Sequence, residues 1–367
     1  EGEKTGALDL LTQMMEKGTQ TVSKNDFEEE IDFMGAHFHF NTDGAHASSL
    51  TRYFPRLLEM LADAALHPRF TEAEFQKEKN KLITALETGE KDVKSTARRV
   101  ENLLAYGPSH PFGEYLRKEK ISKLTLNAVQ NAYDYVFNSD RAYLIVVGDF
   151  DPKSTKKQIK KLFEDWEGSE RTAPAFPEPN NPTQTEIAFI SMPNAVQSEI
   201  AVFNTVTLTK NSPDYYAALL ANQILGGGGE ARLFLNLRED KGFTYGAYSR
   251  LSDSNKTKGL FKATTSVRNA VTDSAVVELL SEIEKIRINP VSNQELDLVK
   301  AKYSGNFILT LEDPETVANF AYNIKTQNLP PDYYKTLLKQ INRVTKEEIM
   351  AATQKYFLSF VIFQARG

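Results

Sequence analysis

The chain carries one pattern twice, and that duplication constrains its fold more than any other feature. Leu124 and Thr125 open a helical stretch that runs to Phe137 and leads into the apolar run 142–148; Val344 and Thr345 open a matching stretch that runs to Phe357 and leads into 358–363. Each copy reads as a helix with a threonine N-cap feeding a buried strand. A second pair supports the duplication. His67-Pro68 is followed by Thr71 and acidic Glu72 and Glu74, and Asn289-Pro290 by Ser292 and Glu295. A Thr or Ser cap before acidic first-turn residues marks the start of a long helix in both places. Strand-like pieces at 185–191, 199–206 and 259–267, with helices between, complete the expectation: an α+β fold of two homologous halves, each an antiparallel sheet faced by helices. The proline-rich, aperiodic stretch 168–184 separates the halves as a linker, which gives domains at 1–167 and 185–367. The residues corresponding to 138–141 have no counterpart between Phe357 and Leu358, so a stretch is expected to be missing at that junction.

With 367 residues, 41% of them hydrophobic, the chain has enough apolar surface for cores of this size. Its longest apolar runs, such as 143–147 and 360–363, are strand-length and far short of a bilayer span. A formal charge of −5 and no clustered basic stripe argue against nucleic-acid partners. The lysine-rich segment 153–161 reads as a solvated helix face. No cysteine is present, which excludes disulfides, thiolate metal sites and thiol nucleophiles.

Residues 5–19 have the frame of a zinc-peptidase helix without its ligands. In the inverted motif H-x-x-E-H, two imidazoles four apart grip zinc from one helix face and the glutamate activates the bound water. Here Asp9, Thr12 and Gln13 occupy that spacing, and Met14 and Lys17-Gly18-Thr19 follow. Residues at i, i+3 and i+4 share a face, so the three point to a common spot. They offer poor zinc chemistry: a neutral amide oxygen, a hydroxyl that is no base near neutral pH, and one carboxylate where a catalytic site needs three ligands. The alternative is an amphipathic helix with a polar face.

This frame resembles the pitrilysin/insulinase family of zinc metallopeptidases, whose active members follow the motif with a Met and a Lys-Gly-Thr or similar turn. The resemblance implies strands ahead of this helix, so Glu1 is expected to mark a trimmed start. It also implies a third ligand from a later helix. Anchored on Glu78-Lys79-Asn80, that glutamate falls at Ala85; Glu87, two residues on, lies roughly 200° around the helix. A member of the family that binds no catalytic zinc is the expectation. Halves of this kind pack in the family as a clam around a substrate chamber.

Residues 226–245 resemble the family's C-terminal signature closely. Arg238 and Tyr245, seven apart, match the pair that in active relatives reaches the substrate beside the zinc, and a guanidinium and a phenol suit a peptide carbonyl or its developing oxyanion. The alternative is a surface pair of Arg238 with Glu239 or Glu230, and a strand beginning at Tyr245. Gly226, Gly227, Gly228 and Gly229 are not a phosphate loop, because no Lys-Ser or Lys-Thr follows. Either backbone approaches backbone there or the loop touches substrate, as in the zinc-free subunit of the similar processing peptidases.

His37 and His39 alternate on one strand face, and His46 follows an Asn41-Thr42-Asp43-Gly44 turn; the three form a candidate metal cluster if that hairpin closes. The resemblance instead suggests a polar, substrate-side role for His39. His67 and His110 precede prolines and read as loop residues. The resulting expectation is a catalytically inactive subunit of a heteromeric zinc peptidase. Zinc belongs to an active homologous partner, and this chain supplies Arg238 and Tyr245 to a chamber for peptide or unfolded polypeptide. The competing readings are a purely structural or peptide-binding subunit and a metal protein built on His37, His39 and His46. Cysteine avoidance points to a bacterial periplasm or envelope.

Overall fold

The computed structural model describes residues 4–42, 44–169, 175–193 and 195–366. Residues 1–3, Asp43 of the hairpin turn and 170–174 of the linker lie outside the described residues. The fold is α+β, and it divides into two compact units, 1–89 with 115–175 and 90–114 with 176–367. The linker-based division puts 90–114 in the first domain; by packing it belongs to the second unit.

The first unit is largely helical. Leu10, Leu11 and Met14 bury one side of the helix Ala7–Met14, which packs against the helices Glu72–Gly89 and Leu126–Val136. The caps fall where the repeat places them. Thr125 accepts from the Ala128 N–H and Thr71 from that of Glu74. A two-stranded hairpin, β1 (His37–Asn41) and β2 (Gly44–Ser48), is the sheet described in this unit.

The antiparallel hairpin, packed on the helices Phe54–Leu66 and Ala7–Met14, is the described part of the helix-faced sheet expected in the first half. Residues 142–148 form no strand, and Tyr143 and Leu144 are 52% and 44% exposed. A strand exists only by pairing, and β1 and β2 pair with each other.

The second unit holds a five-stranded sheet: β3 (Glu186–Ser191), β4 (Gln197–Val206), β5 (Thr244–Leu251), β6 (Gly259–Arg268) and β7 (Val361–Arg366), in the order β3-β7-β4-β6-β5. It is mixed, not antiparallel, because β3 and β7 run parallel. The whole unit intervenes between those two strands and supplies the crossover a parallel pair requires. One face packs on the helices Tyr215–Gly226, Thr272–Ile288 and Lys346–Tyr356. The other packs Phe203, Val361 and Phe363 beneath the helix Val93–Tyr106, which starts at an Asp92 cap. Covered on both faces, β4 is buried along almost its whole length and shows no alternation. Residues 358–360 connect the second repeat helix directly to β7, and the Leu358 N–H donates to Asn204.

Candidate functional site

The helix Ala7–Met14 turns Asp9, Thr12 and Gln13 away from its buried side, with Gln13 exposed. The Thr12 hydroxyl donates to the Asp9 carbonyl at 2.9 Å, so its proton is spent inside the helix. Ala85 sits exposed on the helix Glu72–Gly89 and has no donor atom to offer. Glu87 is engaged by Lys118. The residues present therefore do not fit a catalytic zinc, which takes three nitrogen, oxygen or sulfur ligands from the protein.

The frame around these positions has structural reasons to persist. Gly18 adopts φ +87°, and a Cβ there would lie 2.7 Å from the Val22 carbonyl oxygen. The Thr19 hydroxyl accepts from the Val22 N–H at 2.9 Å and closes the turn. Glu78, only 4% exposed, is held between Lys81 at 2.9 Å and Lys17 at 3.8 Å. Reading the sequence used Glu78 only as a register mark. Its pairing with Lys17, from the retained turn, shows that the two quoted segments are tied by an ion pair that needs no metal.

The hairpin closes with His39 opposite His46, their rings 5.4 Å apart, while His37 stands opposite Ser48. Phe38 and Phe40 take the inner side, against Phe27 and each other, and leave His37 and His39 outward. Among the described residues no three His, Asp or Glu side chains come together as a group fit to hold a metal ion. His110 stands in a loop, as its place before a proline suggests, but its side chain is buried. It is 1% exposed and stacks on Tyr106. The Phe112 N–H donates to its Nδ1, so the ring proton sits on Nε2, 3.0 Å from the Thr257 hydroxyl. Burial holds its pKa below the usual histidine value.

In the second unit the glycine run divides by role. Gly226 ends a helix buried on nearly all sides, and a Cβ on it would lie 2.1 Å from the Ser249 backbone nitrogen. It lets the helix end approach β5, which is the backbone-to-backbone alternative for the glycine run. Gly227 folds back on its own helix at Gln223. Gly228 and Gly229 form the outer loop, where a Cβ at Gly229 meets nothing nearer than 3.7 Å.

After the turn Arg232–Phe234 the chain widens into a π-helical segment, Leu235–Asp240, marked by the Lys241 N–H donating to the Asn236 carbonyl five residues back. Such segments re-aim side chains and are frequent at functional sites. The guanidinium of Arg238 lies 4.7 Å over the Phe234 ring, with its Nε 3.5 Å from Glu239. Glu230 pairs with Lys302 instead. Gly242, at φ +60°, turns the chain into β5, whose second residue, Tyr245, is 88% exposed beside a bulge between Thr244 and Ala247. β5 is an edge strand of the sheet. Arg238 and Tyr245 therefore stand on successive elements joined by a three-residue turn, both open to solvent. The surface pair with Glu239 is real but long, and a half-exposed pair of this kind contributes little.

The profile described as "Insulinase (Peptidase family M16)" matches residues 1–110, and "Peptidase M16 inactive domain" matches 123–303. A Bacillus subtilis protein named uncharacterized zinc protease YmxG is 24% identical, over 97% of this chain and 86% of its own length. Another, named probable inactive metalloprotease YmfF, is 23% identical over 83% of this chain and 72% of its own. In structure, a peptidase M16 inactive domain from Pseudomonas fluorescens superposes with a TM-score of 0.86 at 20% identity, covering 97% of this chain and 87% of that one. Among the described residues no helix is long and apolar enough to cross a membrane. With the duplicated fold, the retained turn and the C-terminal signature all accounted for, the chain belongs to the insulinase, or M16 peptidase, family as a homologue that lacks the H-x-x-E-H motif.

Proposed function

We propose that this chain is the catalytically silent subunit of a heteromeric M16 peptidase, binding peptide or unfolded polypeptide and presenting Arg238 and Tyr245 to it, while a zinc-bearing homologous subunit performs the cleavage. One contrast carries the reading. The ligand positions Asp9, Gln13 and Ala85 hold one carboxylate where a catalytic zinc takes three protein ligands, yet Arg238 and Tyr245 remain displayed on a π-helical segment and an edge strand. A tyrosine 88% exposed contributes little to the stability of its own unit, so its retention is supported better by an external contact than by folding. The name of the relative described as a probable inactive metalloprotease agrees with the silent role. His39, outward on its hairpin, and Gly228 and Gly229 at the loop tip are the further positions assigned to the bound chain.

The test is turnover of quenched peptides by the zinc-bearing relative from the same organism, titrated with this chain. A saturable rise, with no activity from this chain alone, is the expected result. In a confirmed complex Arg238→Ala should lower turnover by about 10²-fold, the loss typical of one transition-state hydrogen-bond donor. Unchanged turnover would reduce the chain to a structural or peptide-binding subunit, the role that the Arg238–Glu239 pair favours.

A further inference from the structure

Behind the glycine loop, the helices Tyr215–Gly226, Asn293–Thr310, Pro314–Thr326 and Tyr333–Arg343 enclose a cavity of about 440 Å³ within the second unit. That volume lies inside the roughly 300–1,000 Å³ span of ligand pockets. One wall is an aromatic stack: the Phe320 ring is parallel to Tyr334 at 3.7 Å and to Phe307 at 5.8 Å. Tyr303 adds a phenol whose pKa burial pushes up to about 12, which keeps its proton in place as a donor. Among the described residues neither the Tyr303 hydroxyl nor the Gln223 amide makes a side-chain hydrogen bond, although both line the cavity.

The charges at the rim are already matched. Lys302 pairs with Glu230 at 2.7 Å, and Glu295 pairs with Arg232 at 2.8 and 3.1 Å. A ligand carrying net charge would have to break one of these pairs, whereas an uncharged one would not. Gly228 forms part of the mouth, and a Cβ on it would come within 3.3 Å of the Lys302 ammonium. Apolar walls, a stacking platform, one unspent donor and one unspent amide fit an aromatic side chain together with the peptide group that bears it.

We infer that this cavity is a specificity pocket for an uncharged aromatic segment of the bound polypeptide. The inference rests on the peptide-binding reading above and deepens it. The test is fluorescence anisotropy of the full chain with two labelled, uncharged probes, acetyl-Ser-Phe-Phe-Ser-amide and its Ala-Ala counterpart. Asn306 lines the cavity from an exposed helix position, so Asn306→Trp fills the space without entering the core. Tyr303→Phe removes the donor alone. The aromatic probe should bind about tenfold more tightly than the alanine probe, and Asn306→Trp should weaken it about tenfold, the scale of one buried anchor. Tyr303→Phe should weaken it less, and both variants should melt with the wild type. Equal binding of the two probes, or full affinity in a correctly melting Asn306→Trp, overturns the pocket. If Arg238→Ala abolishes binding that Asn306→Trp leaves intact, the pocket assignment falls while the peptide-binding reading stands.

Discussion

Two alanine substitutions three residues apart, Gly226→Ala and Gly229→Ala, should behave oppositely. At Gly226 the new Cβ lies 2.1 Å from the Ser249 nitrogen and 2.7 Å from the Tyr248 carbonyl carbon. Carbon contacts are comfortable only near 3.5 Å, so more than an ångström must be relieved, and the obstacle is backbone. Either β5 or the end of the helix has to move, which puts the cost near the upper end of overpacking, about 3 kcal/mol. Reduced freedom of the unfolded chain returns roughly 0.4–1 kcal/mol. The net loss is about 2 kcal/mol. At about 2–4 °C per kcal/mol for domains of 150–250 residues, that lowers the melting temperature by about 4–8 °C. At Gly229 the nearest atom, on the Phe234 ring, is 3.7 Å away, so the Cβ fits and stability should stay within about 0.5 kcal/mol. Differential scanning calorimetry of the three proteins decides the matter. Equal melting temperatures for both variants would refute the close approach, and with it the division of the glycine run into a packing end and a loop end.

The other predictions concern charge. His110 is neutral in the fold and held below its ordinary pKa of 6.5, whereas the unfolded chain takes up a proton as pH falls through that value. The unfolded state then binds more protons, so stability is lost below about pH 6.5 and is unaffected above it. Melting between pH 7.5 and 5.5 should therefore fall less in His110→Gln than in the wild type; parallel curves would refute this. The Glu101 carboxylate, 7% exposed, meets Lys262 at 2.7 Å between the helix Val93–Tyr106 and β6. Lys262→Met alone strands a buried charge and should cost about 3 kcal/mol, while pairing it with Glu101→Met should recover most of that in denaturant unfolding. Equal losses in the single and double variants would refute the pairing.

What proved legible in the sequence was local. Thr125, Ser292 and Thr345 each cap a helix, and Ser292 and Thr345 close reciprocal capping boxes with Glu295 and Glu348. A cap is written within four residues, so one chain suffices to see it. The misses all depend on distant partners. Residues 142–147 have strand composition, and among the described residues they pair with no strand. The parallel β3–β7 register follows from where two remote segments meet. The helix Val93–Tyr106 leaves its sequence neighbours for the other unit's sheet. His110 reads as a loop residue and is one, but its burial by Tyr106, Phe112 and Phe176 is not written beside it. At the site, the spacing of Arg238 and Tyr245 was legible, while the π-helical turn that displays the arginine was not.

The same distinction explains how a peptidase frame outlasts its metal. Asp9, Thr12 and Gln13 lie on the side of their helix opposite Leu10, Leu11 and Met14, and Ala85 is exposed, so exchanging zinc ligands for these residues leaves the buried contacts untouched. Surface changes of that kind are usually worth no more than about 0.5 kcal/mol, and folding gives no reason to restore the ligands. Gly18, Thr19 and Glu78 are different, because each closes a turn or pairs a buried charge, and folding alone retains them. Arg238 and Tyr245 fit neither case: they lie outside the buried contacts, as Asp9, Thr12, Gln13 and Ala85 do, yet they match the family signature. Stability cannot account for that, so what they touch outside their own unit becomes the quantity to measure. Tyr245→Phe, which removes one hydroxyl from a fully solvated position, should leave melting unchanged and lower only the turnover of the complex; a shift in melting with turnover intact would place the tyrosine among the structural residues instead.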